Sequence, residues 1–354
     1  MSIFWSRGIA ALEAYVPGEQ PQDGGWVKLN TNENPYPPSP LVLEAMKAAA
    51  DGKLRLYPDP ECLSLRQTIA DYHGLSKDEV FVGNGSDEIL AFAFAAFFDH
   101  GETLLYPDIT YSFYPVYSRF FGIEAATVPV NADFSIPIEP FLSANGGVVL
   151  SNPNAPTSLG IPLEGIRKIA GHNLERGRVL AVDEAYVDFG AETAIGLIAD
   201  HPNLLVIRTL SKSRSLAGLR VGYALGQRDL VEGLGRVKSS INSYTIDRLA
   251  LAGAQAAFAD EDYFRATTAR IVATRTRVAR ELATLGFSVC DSRANFLFVS
   301  HPAVPAATLY ARLREKKVLV RYWNKSRISN HLRVSVGTEE EMTTFLEAVR
   351  GIVG

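Results

Sequence analysis

Along residues 80–226 short apolar, β-branched runs alternate with stretches of helical period, and Gly, Pro, Asn or Asp closes each run. Strand-length runs separated by helix-length ones predict a parallel sheet flanked by helices. The strand candidates are 80–82, 103–106, 125–130, 148–151, 179–182, 204–208 and 220–224. After Ile246 the texture changes to long Ala- and Arg-rich stretches, "RLALAGAQAAFA" and "YFRATTARIVATRTRVARELATLGF". Strand-like "FSVC", "ANFLFV" and "LRVSV" follow, with the helix-like "AATLYARLREKK" among them. This predicts a smaller α+β part. The N-terminal segment through "NTNENPYPPSP" is dense in Asn and Pro, which favour turns and extended chain, so it reads as an arm packed across something else. The expected division is a large part over residues 30–258 and a small part made of 1–29 and 259–354.

Composition narrows the class. A chain of 354 residues buries a large core, and its net charge of −4 offers no basic field for a nucleic-acid backbone. The longest apolar run, "ILAFAFAAFF", has ten residues, against the roughly 20 needed to span a bilayer, and reads as a buried helix. No basic, apolar and small-residue leader opens the sequence, so a cytoplasmic location is expected. Cys62 and Cys290 form no CxxC pair, and the six histidines, His73, His100, His172, His201, His301 and His331, show no metal-binding spacing. They read as surface or loop histidines.

In an open parallel sheet, ligands bind beyond the carboxyl ends of the strands. After 80–82 comes "GNGSDEIL", in which Gly83 and Gly85 permit close backbone approach and Ser86 caps a helix whose first amides face an anion. The carboxylates of Asp87 and Glu88 would repel a phosphate if they faced it, so a nearby cation is needed, and Arg220 is a candidate. After 103–106 comes "PDITYSFY" with the aromatic face of Tyr111; after 148–151, "NPNAPTS"; after 179–182, "DEAY" with Asp183 and Tyr186. After 204–208, Lys212 stands between two serines in "RTLSKSRSLAGLRVGY". Taken singly, each has an ordinary structural reading as a cap, turn or core residue. Together they bring an amine, a carboxylate, a hydroxyl, an aromatic face and a phosphate cradle to one sheet end, which is what a pyridoxal phosphate site demands.

The order "NENP", "YPD", "GNGSDE", "DITYSFY", "NPNAPT", "DEAY", "SKSRSLAGLR", "LRVSVGT" resembles the fold-type I aminotransferases from about Leu29 to the C-terminus. Within them it is most similar to the branch acting on histidinol phosphate. The resemblance implies the α/β fold of that type: a large domain with a mostly parallel sheet flanked by helices, and a smaller α+β domain. It also implies pyridoxal 5'-phosphate as cofactor. Lys212 would then carry the cofactor and shuttle the substrate's proton, Asp183 pair with the ring nitrogen, Tyr186 meet the phenolic oxygen, and Tyr111 stack on the ring. The amides of Ser86 and Asp87, after Gly85, would hold the phosphate together with Ser211 and Arg220. Tyr57 in "LYPDP" matches a tyrosine that reaches the neighbouring subunit's phosphate, which implies a homodimer.

One departure stands out. Where the family has asparagine before the proline of its turn, this chain has Ala155, and Ser158 replaces the glycine; Asn154 is the candidate to take over the contact. On the substrate side, Arg333 matches a carboxylate-binding arginine, Arg321 an arginine suited to a phosphate, and Tyr15 and Asn32 residues near the N-terminal arm. A guanidinium grips carboxylate and phosphate with the same fork, so both histidinol phosphate and 2-oxoglutarate fit. Aromatic amino acids remain an alternative donor, through Tyr15, Phe113, Tyr322 and Trp323. So do decarboxylation of threonine phosphate, and a scaffold that binds the cofactor without turnover.

Overall fold

The computed structural model describes residues 4–10, 12–98 and 101–354, so His100 lies outside the described residues. Among the described residues twelve strands form two sheets: β1 Val27–Leu29, β2 Val80–Gly83, β3 Leu104–Pro107, β4 Ala125–Val128, β5 Val148–Ser151, β6 Leu180–Asp183, β7 Leu204–Thr209, β8 Gly222–Leu225, β9 Ser288–Val289, β10 Phe296–Ser300, β11 Val318–Tyr322 and β12 Leu332–Ser335.

The seven-stranded sheet runs β2-β8-β7-β6-β5-β3-β4. Its neighbours are parallel except β8, which is antiparallel to both β2 and β7. Every residue of β5, β6 and β7 is buried. A strand covered on both faces reads as a continuous apolar run, which is why these three were legible. Alternation still operates within them: Val148 and Leu150 enter one core with Val182 and Val206, while Val149, Ala181, Leu205 and Ile207 enter the other with the helix Gly85–Phe97.

Register decides where the site falls. Ser151 is opposite Asp183, Asp183 opposite Ile207, and Thr209 and Gly83 both face Gly222. The reversed strand β8 therefore starts where β2 and β7 end, and the strand-end loops converge on one edge. The approach is close: a Cβ on Gly222 would lie 2.5 Å from the Ser86 nitrogen.

The second sheet runs β1-β11-β12-β10-β9. The N-terminal segment, expected as an arm without regular structure, contributes β1, which pairs parallel with β11 through Val27↔Val318 and Leu29↔Val320. Three residues carry no readable period, so only the exposed edge of β11 makes them a strand. The helices Glu261–Thr284, Ala306–Glu315 and Glu339–Val353 supply buried residues to the core of this sheet. Among the described residues no helix is long and apolar enough to cross a membrane.

Candidate active site

The strand ends border a cavity of about 450 Å³ that is also lined by the N-terminal segment and by β11 and β12 residues. A second cavity of similar volume, beside Glu61, Arg66 and the helix Arg228–Ile241, contains none of the candidate site residues.

Lys212 lies three residues past β7. Its Nζ donates to the Thr31 carbonyl at 3.1 Å, while Asn34 Nδ2 holds the Lys212 and Ser213 carbonyls at 3.0 and 3.2 Å. Beneath it, Ser213 Oγ donates to Asp188 at 2.5 Å, and Arg208 binds Asp188 at 3.3 Å and Glu184 at 3.1 Å. Burial, reinforced by the Arg333 charge, pulls the Lys212 amine down to about 8.

The cradle stands next to it. Gly85 adopts φ +78°, and a Cβ there would come within 2.6 Å of Arg220 Nη2, so the missing side chain leaves room for the guanidinium at this position. The helix Gly85–Phe97 begins here with Asn84 as its N-cap. Ser86, expected to be the cap, instead sits in the first turn with Asp87, where amides have no acceptor within the helix. Arg220 Nη1 donates to Ser211 Oγ at 3.4 Å and Nη2 to Asp87 Oδ2 at 3.1 Å. Tyr111 also donates to Asp87, at 2.8 Å. Both interactions draw the Asp87 carboxylate to one side, and Glu88 folds back to accept from the Asn84 amide at 2.6 Å. Arg220, the cation anticipated beside these acids, thus pairs with Asp87, and Glu88 is turned back to the Asn84 amide.

Asp183 closes the far end. Its carboxylate accepts from the Ala185 amide at 3.1 Å and from Tyr114 at 3.3 Å. Burial raises it to about 7, against the Ala185 hydrogen bond that lowers it. A buried acid held this high favours a cationic partner at the same place. Tyr186 accepts from Asn32 Nδ2 at 3.1 Å, and Tyr15 stacks on Phe113 with ring centroids 4.4 Å apart.

The two substrate-side arginines differ in what they have left to give. Arg321 donates to the carbonyls of Pro17 and Val16 at 3.2 and 3.0 Å, which fastens the N-terminal segment over the cavity. Arg333 donates through Nη2 to the Asn30 carbonyl at 2.8 Å, but its buried Nε has no partner among the described residues.

Asn154 corrects an expectation. Its Nδ2 donates to the Ile109 carbonyl at 2.8 Å and to Thr157 Oγ1 at 3.0 Å, and its Oδ1 accepts from Thr110 at 2.8 Å. The side chain is spent tying its own loop to the one after β3, and Ala155, not Asn154, lines the cavity. Tyr57 also lies outside the cavity, 78% exposed and stacked on Tyr244 at 4.5 Å. Thr31, Asn34, Tyr114 and Ser335 were not singled out from sequence. Tyr114 stood in plain view in "DITYSFY", but nothing local marks it as a partner of Asp183.

A model of the class I and II aminotransferases matches residues 24–349. Histidinol-phosphate aminotransferase of Clostridium acetobutylicum is 54% identical over 350 residues, 99% of each chain. That of Clostridium botulinum is 52% identical over 353 residues, 100% of this chain and 99% of the relative. The structure of histidinol-phosphate aminotransferase from Sinorhizobium meliloti, in complex with pyridoxal-5'-phosphate, superposes with a TM-score of 0.90 at 26% identity, covering 100% of this chain and 98% of that one. The chain belongs to the class I and II aminotransferase family.

Proposed function

We propose that the chain uses pyridoxal 5'-phosphate to move the amino group of histidinol phosphate to 2-oxoglutarate. The observation that carries this reading is the convergence of Lys212, Asp183, Tyr186 and the Gly85–Arg220 cradle on one cavity. The donor set fits the cofactor: first-turn amides, Ser211 and Arg220 for its phosphate, the raised Asp183 carboxylate for its ring nitrogen, and the Tyr186 hydroxyl for its phenolic oxygen. Bound there, the cofactor supplies an aldehyde that captures amines and a ring that accepts the electron pair released at the substrate carbon.

The chain's own residues do the rest. Lys212, with its amine held at about 8, gives up its proton at a pH well below that of an ordinary lysine and is suited, once neutral, to take one from the substrate carbon. Arg333, a half-buried cation on the cavity wall, receives the anionic end of the donor and of the acceptor in turn. Arg321 holds the carbonyls of Val16 and Pro17, and the same segment carries Tyr15 to the cavity wall and limits water. The substrate itself is supported by the relatives of 54% and 52% identity, both histidinol-phosphate aminotransferases.

The same reading includes a homodimer. Leu54, Leu56, Tyr57, Leu63, Ile241 and Tyr244 are exposed, an apolar set that a second copy would cover while Tyr57 reaches the neighbouring cradle. The division into residues 30–258 and 1–29 with 259–354, and a cytoplasmic location, go with it. The test is the visible spectrum of the loaded protein before and after L-histidinol phosphate, without keto acid. Conversion of the band of the lysine-bound cofactor to the pyridoxamine form is expected. A band that persists with histidinol phosphate but converts with aromatic amino acids overturns the substrate.

A further inference from the structure

Asn32, three residues past the end of β1, is buried and adopts φ +55°, a left-handed conformation that few residues other than glycine take up. Its backbone N–H donates to Ser335 Oγ at 2.8 Å. Ser335 ends β12, and its hydroxyl, already accepting from that amide, has one hydrogen to place. Asn32 Oδ1 lies 2.9 Å away. This pairing orients the Asn32 side chain, because of its two ends only the oxygen accepts. Turned over, the amide would offer a second donor to Ser335 and leave a buried hydroxyl hydrogen without an acceptor. Asn295 Nδ2 pins the same residue through its carbonyl at 3.0 Å.

With its oxygen facing Ser335, Asn32 turns its NH2 toward Tyr186, 3.1 Å from the phenol oxygen. An NH2 group only donates, so that oxygen accepts, and the Tyr186 hydrogen is sent elsewhere. Tyr186 lines the cavity. We infer that Ser335, acting through Asn32, sets the direction of the Tyr186 hydroxyl and aims its hydrogen into the cavity, which makes Ser335 a positioning residue for the reaction. The direction originates in a backbone N–H, which cannot reverse. Ala155 lines the same cavity and brings no side-chain donor, so the aim of the Tyr186 hydrogen carries more weight here.

The inference rests on the proposed cofactor, whose phenolic oxygen Tyr186 would meet. A hydrogen bond donated to that oxygen favours its charged form and lowers the pH at which the bound cofactor's visible absorbance changes. The experiment titrates that absorbance in the pyridoxal phosphate-loaded wild type, Ser335→Ala, Ser335→Thr, Tyr186→Phe and the double variant Tyr186→Phe/Ser335→Ala. Tyr186→Phe should raise the midpoint by about one pH unit, and Ser335→Ala should raise it by roughly half as much. Ser335→Thr keeps the hydroxyl and should match the wild type. The double variant should match Tyr186→Phe, because the serine acts only through the phenol. A Ser335→Ala midpoint equal to wild type overturns the inference, as does a Ser335→Ala shift that persists in the Tyr186→Phe background. A wild type that takes up no pyridoxal phosphate overturns the cofactor reading with it, an outcome distinct from a normal wild-type titration with unmoved variants.

Discussion

Lys212 Nζ and the Thr31 carbonyl, 181 positions apart in sequence, lie within 3.1 Å. The amine at the end of the large sheet is thereby held by chain leaving the edge strand of the small one. Its position depends on both sheets, and its buried setting follows from the same contact.

Lys212→Ala should lower transamination by about a thousandfold or more, since both amine capture and proton transfer are lost. The fold should survive, because the change removes a charge that burial disfavours. Activity beside a thermal melt checks both halves; an undiminished rate would remove the assigned role.

The lowered amine has a kinetic signature. Only the neutral amine captures an aldehyde, so pyridoxal phosphate uptake by cofactor-free protein should rise with pH and level off above about 8. An ordinary lysine would keep gaining toward about 10.4. In Arg333→Gln the plateau should move to higher pH, because a neighbouring cation that disfavours the ammonium is gone. Stopped-flow uptake across pH 6–10 measures it.

Asp183 predicts a stability effect of opposite sense to the usual carboxylate. Its folded pKa of about 7 stands above the 3.8 of a free aspartate. Between those values the folded state holds a proton that the unfolded state has lost, so its contribution to stability falls as pH rises from about 4 to 7. Asp183→Asn should therefore raise the melting temperature of cofactor-free protein at pH 8 by about 2 °C or more. The gain should shrink as pH falls toward 4, while transamination drops. No gain at pH 8 would mean that the carboxylate ionises without penalty.

Asn154→Ala should cost on the order of 2–3 kcal/mol of stability through three lost side-chain hydrogen bonds, with an unchanged cofactor spectrum. Denaturant melts and absorbance separate this from a cofactor contact, which would shift the spectrum.

Arg333→Lys keeps the charge and loses the fork. KM for histidinol phosphate and for 2-oxoglutarate should both rise, by roughly tenfold to a hundredfold. Arg321→Gln should affect the two less, as the structure has Arg321 holding Val16 and Pro17. Steady-state kinetics with each substrate varied decides it.

Much of the large sheet was legible because β5, β6 and β7 are buried throughout, leaving runs whose ends point to the loops that matter. The reversal of β8 left no local mark, since strand direction depends on which neighbour it meets. The Asn154 expectation failed for a related reason. Adjacency to Ala155 suggested a substitute, but the Ile109 carbonyl and Thr110 hydroxyl of the loop after β3, with Thr157, claimed the side chain first.

The sequence by itself determined the order of apolar runs and the residue types at their ends: the lysine, the aspartate, the glycines of the cradle and the arginines. These are local choices, written in period and composition. The tertiary structure alone decided which donors remain free. Among the described residues Arg333 keeps an unpartnered Nε while Arg321 is engaged, and Asn32 reaches Tyr186 because Ser335, 303 positions away, turns its amide. A hydrogen bond is fixed by distance and direction through space, and groups that distant in the chain meet only once both sheets have formed.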